Sequence, residues 1–168
     1  MARVAFVLAD EFEDSEFKEP YDRFGAAGHE LTVIGKEKGA EVKGKKGRET
    51  VVVDADPDQV SADDFDALVV PGGYSPDKLR TDDRVVAFVR EMGESGKPLA
   101  FICHAGSLLI EADLVRGRRV TSWPSIRTDL INAGAEWVDA EVVEDGNLIS
   151  SRRPDDLAAF GEAILRRL

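Results

Sequence analysis

Short apolar runs that alternate with helix-length amphipathic stretches confine this 168-residue chain to an α/β architecture with a parallel sheet. The runs are Val4 to Leu8, Glu30 to Ile34 after a stop at Gly28, Ala67 to Val70, and the segment entering Cys103. Helices are expected over Ser15 to Ala27, Asp82 to Glu94 and Ala105 to Ala112. Val51 to Val53 belongs to a hairpin excursion, and the basic segment Lys36 to Arg48 reads as a solvated loop or hairpin because Glu37, Glu41 and glycines interrupt it. Further along, Val120-Thr121-Ser122 predicts a strand, Ser125 to Ala133 a helix, and Trp137 to Ser150 a hairpin turned by Asp145-Gly146-Asn147. Pro154-Asp155-Asp156 opens a final helix to Leu168.

The lone cysteine stands at the most telling junction of this pattern. Lys97-Pro98-Leu99-Ala100-Phe101-Ile102 reads as an interior strand and Ala105 to Ala112 as a helix, so Cys103 occupies a strand-to-helix turn. Such an elbow strains its central residue, exposes the side chain above the sheet and aims the first helix amides at whatever binds there. The positive end of the helix also favours a thiolate, which predicts a low-pKa thiol. The plain alternative is a small buried hydrophobe, the usual fate of free cysteine. His104 speaks against it, because a histidine directly after a core strand is hard to explain as packing.

Composition narrows the function classes. A chain of this length with 43% hydrophobic residues builds one well-buried core, and one domain over residues 1–168 is expected. One cysteine rules out an internal disulfide, and no CxxC or HExxH spacing suggests a metal site, so neither metal nor cofactor is expected. A net charge of −11 gives no nucleic-acid patch. The N-terminal apolar run is too short for a signal peptide and no stretch has transmembrane length, so a soluble cytoplasmic protein with no membrane contact is expected.

In parallel sheets, ligands bind beyond the carboxyl ends of the strands. Those ends carry Asp10-Glu11-Phe12-Glu13, Pro71-Gly72-Gly73, Cys103-His104 and Trp123-Pro124. Gly72 and Gly73 allow close backbone approach to a substrate, and the Gly73 and His104 amides make a candidate oxyanion hole. An ordinary tight turn at the glycines and a first-turn helix carboxylate at Glu13 are the alternatives.

These pieces, in their order and spacing, resemble the PfpI-type branch of the superfamily that includes the intracellular protease I group and the parkinsonism-associated deglycase. The matching segments are Glu11-Phe12-Glu13-Asp14, Pro71-Gly72-Gly73, Phe101-Ile102-Cys103-His104, Gly117 to Pro124, Ile131 to Asp139 and Asp145 to Arg152. The resemblance implies a flavodoxin-like sandwich of the class I glutamine amidotransferase type, with a mostly parallel central sheet, helices on both faces and a nucleophile elbow. It also implies Cys103 as nucleophile, Glu13 as the carboxyl bonded to it, and His104 as the following histidine. Asp77, where the family usually has glutamate, matches the residue that orients this histidine from a second subunit, which implies a homodimer or larger homo-oligomer with Tyr74 at its interface. Trp123 falls at the substrate side. Ala105 after His104 departs from the glycine common there.

The chemistry expected from this set is that of a stress-response enzyme acting on reactive dicarbonyls such as methylglyoxal and glyoxal, or on their protein adducts, through a hemithioacetal at Cys103. A protonated Glu13 would donate to the thiolate and an ionised one would repel it, burial deciding between them. Acyl transfer on peptides or amides, and a non-enzymatic redox sensor using oxidation of Cys103, are the other readings.

Overall fold

Val4 to Val7, Leu68 to Val70 and Leu99 to Ile102 point apolar side chains both ways, a pattern satisfied only by strands covered on two faces. The computed structural model describes residues Met1–Leu168. In chain order its elements are β1 (Arg3–Val7), α1 (Asp14–Ala26), β2 (Glu30–Ile34), β3 (Glu41–Lys43), β4 (Thr50–Val52), β5 (Ala67–Val70), α2 (Ser75–Leu79) and α3 (Asp83–Glu94). There follow β6 (Leu99–Ile102), α4 (Gly106–Glu111), β7 (Arg119–Val120), α5 (Arg127–Asn132), β8 (Glu136–Trp137), β9 (Val143–Asp145), β10 (Leu148–Ser151) and α6 (Leu157–Leu165).

The main sheet has the order β2-β1-β5-β6-β10-β9, parallel except for β9 at one edge. Successive residues go to opposite layers. Val4, Phe6, Val69, Ala100 and Ile102 meet Phe17 and Phe24 of α1 and Leu157 and Phe160 of α6. Ala5, Val7, Leu68, Leu99 and Phe101 meet Phe88 and Met92 of α3 and Leu108 and Leu109 of α4. The α1 layer is held by aromatic packing, with Phe6 and Phe17 rings 5.6 Å apart edge to face and Phe17 and Tyr21 stacked at 4.9 Å. Truncating one of these buried rings to alanine typically costs about 3–5 kcal/mol. The expected α/β class, with a mostly parallel sheet and helices on both faces, is the one found.

Three local expectations change. The strand at Val120 covers only Arg119–Val120 and pairs in parallel with Glu136–Trp137 outside the main sheet, so Trp137 leaves the hairpin, which runs from Val143 to Ser151. Beyond Val120, the Thr121 amide donates to the Ser150 hydroxyl (2.9 Å), so a side chain rather than a backbone ladder docks this segment on β10. The segment after Tyr74 is a short helix, α2, started by Pro76 and pinned by the buried Ser75 hydroxyl, which accepts the Ala9 amide at 2.9 Å. The basic segment does form a hairpin, β3–β4. Its loop is not free in solvent, because the buried Asp14 carboxylate accepts the amides of Lys46 (2.9 Å), Arg48 (3.0 Å) and Glu49 (3.0 Å).

Candidate active site

Cys103 follows β6 directly and has φ of 64°, a left-handed conformation that costs a non-glycine residue on the order of 1–3 kcal/mol. A single turn, Cys103 to Ala105, leads from it into α4. The elbow is present, but the side chain is not held out above the sheet: Cys103 is only 9% exposed and packs in the α1 and α6 layer. The His104 and Gly73 amides lie close enough to its sulfur to favour the charged form. Gly73 has φ of 77°, and a Cβ there would run into the backbone of Glu11 to Glu13; a Cβ on Gly72 would lie 2.8 Å from that of Cys103. Both glycines are therefore close-approach residues, and Gly72 serves by its amide rather than by opening space.

The carboxyl that faces the thiol belongs to Glu16, not to Glu13. Glu16 is fully buried, its Oε1 accepts the Gly72 amide at 2.9 Å, and its Oε2 has no geometrically aligned hydrogen bond. Glu16 and Cys103 both lie against Gly72, which brings the carboxyl and the thiol together. Burial pushes the Glu16 carboxyl up to about 8, so it is protonated at neutral pH. Glu13 has a different task. Lys45 Nζ lies 2.8 Å from its Oε2 and Lys46 Nζ 2.9 Å from its Oε1. Burial works against its charge, but the two ammonium groups outweigh it and hold the carboxyl below its ordinary range. Glu13 is thus an ionised anchor for the hairpin. It occupies the N-cap position of α1 without a side-chain cap hydrogen bond and is buried against the two lysines, whereas Glu16, three residues on in the first turn, lies against the Gly72 amide.

The low-pKa thiol expected from the elbow is also corrected. Burial, and then the Glu16 charge, push the Cys103 thiol up to about 12 against the opposing pull of the His104 and Gly73 amides and of Lys45. Below pH 8 Glu16 is neutral and the repulsion is gone. The first proton lost by the pair leaves near 8, from Glu16, and a shift of the remaining proton from sulfur to that carboxylate would produce a thiolate.

His104 is half-buried, and burial first, then Lys45, hold it below its ordinary range, so the ring is neutral and able to take a proton at pH 7. The ring lines a groove of about 660 Å³ together with Gly73, Tyr74, Asp77 and Ser107. Asp77 and Tyr74 are exposed at this groove. The Trp123 ring stands 6.4 Å from the His104 ring, and the Trp123 amide donates to the Cys103 carbonyl at 3.1 Å. Cys103, His104, Gly72, Gly73 and Trp123 thus converge, Asp77 lines the groove of His104 and Gly73, and Glu16 takes the place beside the thiol expected for Glu13. Sequence reasoning missed Glu16, Lys45 and Lys46. For Glu16 a signal existed, because it lies one helical turn after Glu13 and so on the same side of α1.

The model described as DJ-1/PfpI family matches residues 2–167. The chain is 52% identical over 167 residues to Protein/nucleic acid deglycase 2 of Escherichia coli K12, covering 99% of this chain and 97% of that protein. It is also 52% identical over 167 residues to General stress protein 18 of Bacillus subtilis 168, with the same coverage. Among solved structures, a two-domain protein from Anabaena variabilis with DJ-1/ThiJ/PfpI-like and ferritin-like domains superposes with a TM-score of 0.98 at 43% identity. That match covers 99% of this chain and 48% of the other.

Proposed function

This chain belongs to the DJ-1/PfpI family, and on that premise we propose that it is a cysteine-dependent stress-response enzyme, in the cytoplasm, that removes reactive dicarbonyls such as methylglyoxal or their adducts on proteins. The observation that carries this reading is the buried Glu16 carboxyl, raised to about 8 by burial so that it can exchange a proton near neutral pH, set against Cys103 beside the Gly73 and His104 amides. The deglycase and stress-protein names of relatives at 52% identity support the same substrate class.

The steps follow from the geometry. The reacting form is the one in which the pair has lost one proton, near 8: as the sulfur adds to the aldehyde carbon, the remaining thiol proton passes to the Glu16 carboxylate, and the carbonyl π pair moves onto oxygen. That oxygen lies between the Gly73 and His104 amides and takes the proton back from Glu16, which completes a hemithioacetal. Neutral His104 then takes the proton from the former aldehyde carbon and returns it to the ketone carbon, while the hemithioacetal hydroxyl proton goes to the ketone oxygen, leaving a thioester of a 2-hydroxy acid. Water cleaves this thioester to lactate and free thiol, so methylglyoxal plus water gives lactate with no outside oxidant or reductant. A small aldehyde fits a nucleophile that is 9% exposed better than an extended peptide does.

Purified protein is expected to form lactate from methylglyoxal, measured by coupled lactate oxidation. Peroxide-sensitive Cys103 without any turnover would favour the redox-sensor reading instead. The same reading includes a homo-oligomer in which Asp77 of a second subunit orients His104, with the exposed Tyr74 at the contact. Asp77→Ala is then expected to lower turnover about 10-fold or more while sedimentation shows the assembly intact. Full activity in a micromolar monomer would sink the shared site. No helix is long and apolar enough to cross a membrane.

A further inference from the structure

The β3–β4 hairpin takes no part in the steps above, yet its loop is fastened to the site at several points. Lys45 N donates to the Phe12 carbonyl (2.9 Å), Glu11 N to the Lys43 carbonyl (2.7 Å), and Asp10 Oδ1 accepts the Lys43 amide (2.9 Å). Phe12 in turn bridges both Gly44 and Gly73, so the hairpin loop, the 11–13 segment and the Gly72-Gly73 turn lie side by side. Asp14 closes the clasp from below through three amides, and a Cβ on Gly44 would collide with its carboxylate.

The side chains show what this fastening delivers. Lys45 Nζ lies 2.8 Å from Glu13 Oε2 and 5.8 Å from the centre of the Tyr74 ring, while Lys46 Nζ lies 2.9 Å from the other Glu13 oxygen. Two ammonium groups share one carboxylate, which leaves one positive charge over. The groups exposed to that charge are Cys103 at the end of β6, Glu16 on α1 and His104 on the elbow turn. We infer that Lys45 is a positioning residue for the nucleophile: the hairpin, clasped by Asp14, holds a fixed cation beside the Cys103–Glu16 pair, where negative charge develops on sulfur and then on substrate oxygen. This rests on Cys103 as the nucleophile of the function proposed above. The sign follows from Coulomb attraction, since a nearby cation favours the thiolate and disfavours a charged His104.

The test is the pH dependence of Cys103 alkylation by iodoacetamide in folded protein, which is unambiguous because the chain has a single cysteine. Lys45→Met is expected to move the rate profile to higher pH and slow alkylation about 10-fold at a fixed pH on its rising limb. Lys45→Arg is expected to restore the parent profile, and Asp14→Asn to shift it the same way by less, since a loosened hairpin still carries the lysine. A Lys45→Met profile that superimposes on the parent, or moves to lower pH, overturns the inference, as does failure of Lys45→Arg to restore it. Alkylation needs no carbonyl substrate. A parent protein that never turns over methylglyoxal but shows the Lys45 shift therefore rejects the dicarbonyl reading alone.

Discussion

Cys103→Ser is expected to abolish methylglyoxal turnover, by three orders of magnitude or more, while leaving the melting temperature close to that of the parent. The substitution nearly keeps the size of the side chain, and the nearby Gly73 and His104 amides can donate to the new hydroxyl, so stability should change little. Chemistry suffers because a serine hydroxyl gives up its proton far less readily than a thiol, and the Glu16 carboxyl, with a value of about 8, is too weak a base to take it. Lactate formation by each variant, read beside its thermal melt, checks both halves. Activity within 10-fold of the parent would remove Cys103 from the mechanism.

The second large effect separates function from stability at one residue. Glu16→Gln keeps an acceptor for the Gly72 amide but removes the group that exchanges a proton with sulfur, and turnover is expected to fall about 100-fold. Stability should move the other way. The unfolded chain ionises this carboxyl near 4.5, whereas burial holds it protonated in the folded protein up to about 8. Across that window only the unfolded state gains by losing the proton, so the parent loses stability as pH rises from 4.5 to 8, by roughly 3 kcal/mol at pH 7. Glutamine has no proton to lose. Its melting temperature is therefore expected to exceed the parent's at pH 7 to 8, with the gap closing toward pH 4.5. A gap of equal size at pH 5 and pH 8 would contradict the buried, protonated carboxyl.

Periodicity and turn chemistry carried the sheet and the elbow, because β1, β5 and β6 are apolar on both faces and Gly28 and the Pro71-Gly72-Gly73 turn stop their elements cleanly. The choice between Glu13 and Glu16 was not legible in the same way. The two carboxylates lie one turn apart at the start of α1, and only the tertiary packing sends Glu13 to Lys45 and Lys46 and Glu16 to the Gly72 amide. The hairpin lysines were hidden for another reason. A Lys- and Gly-rich loop looks like any solvated loop, and nothing within it tells that Asp14, more than thirty residues earlier, accepts three of its amides. The fate of Val120 to Ser122 likewise turned on a hydroxyl of Ser150, a contact between segments far apart in the chain. The high thiol value has the same origin, since the elbow is local but the burial and the Glu16 charge that oppose it are not.

The glycine amide, the carboxyl and the thiol that meet at the elbow come from residues 73, 16 and 103, and the strand carrying the thiol is central, paired with β5 on one side and with β10, near the C-terminus, on the other. Contacts between such distant segments form late in folding, because long loops must close before they are rewarded. The thiol of the unfolded chain is an ordinary exposed one, and it is expected to gain its shielding only as these distant segments come together. A brief alkylation pulse applied at successive times of refolding would thus read completion of the whole topology from a single sulfur atom.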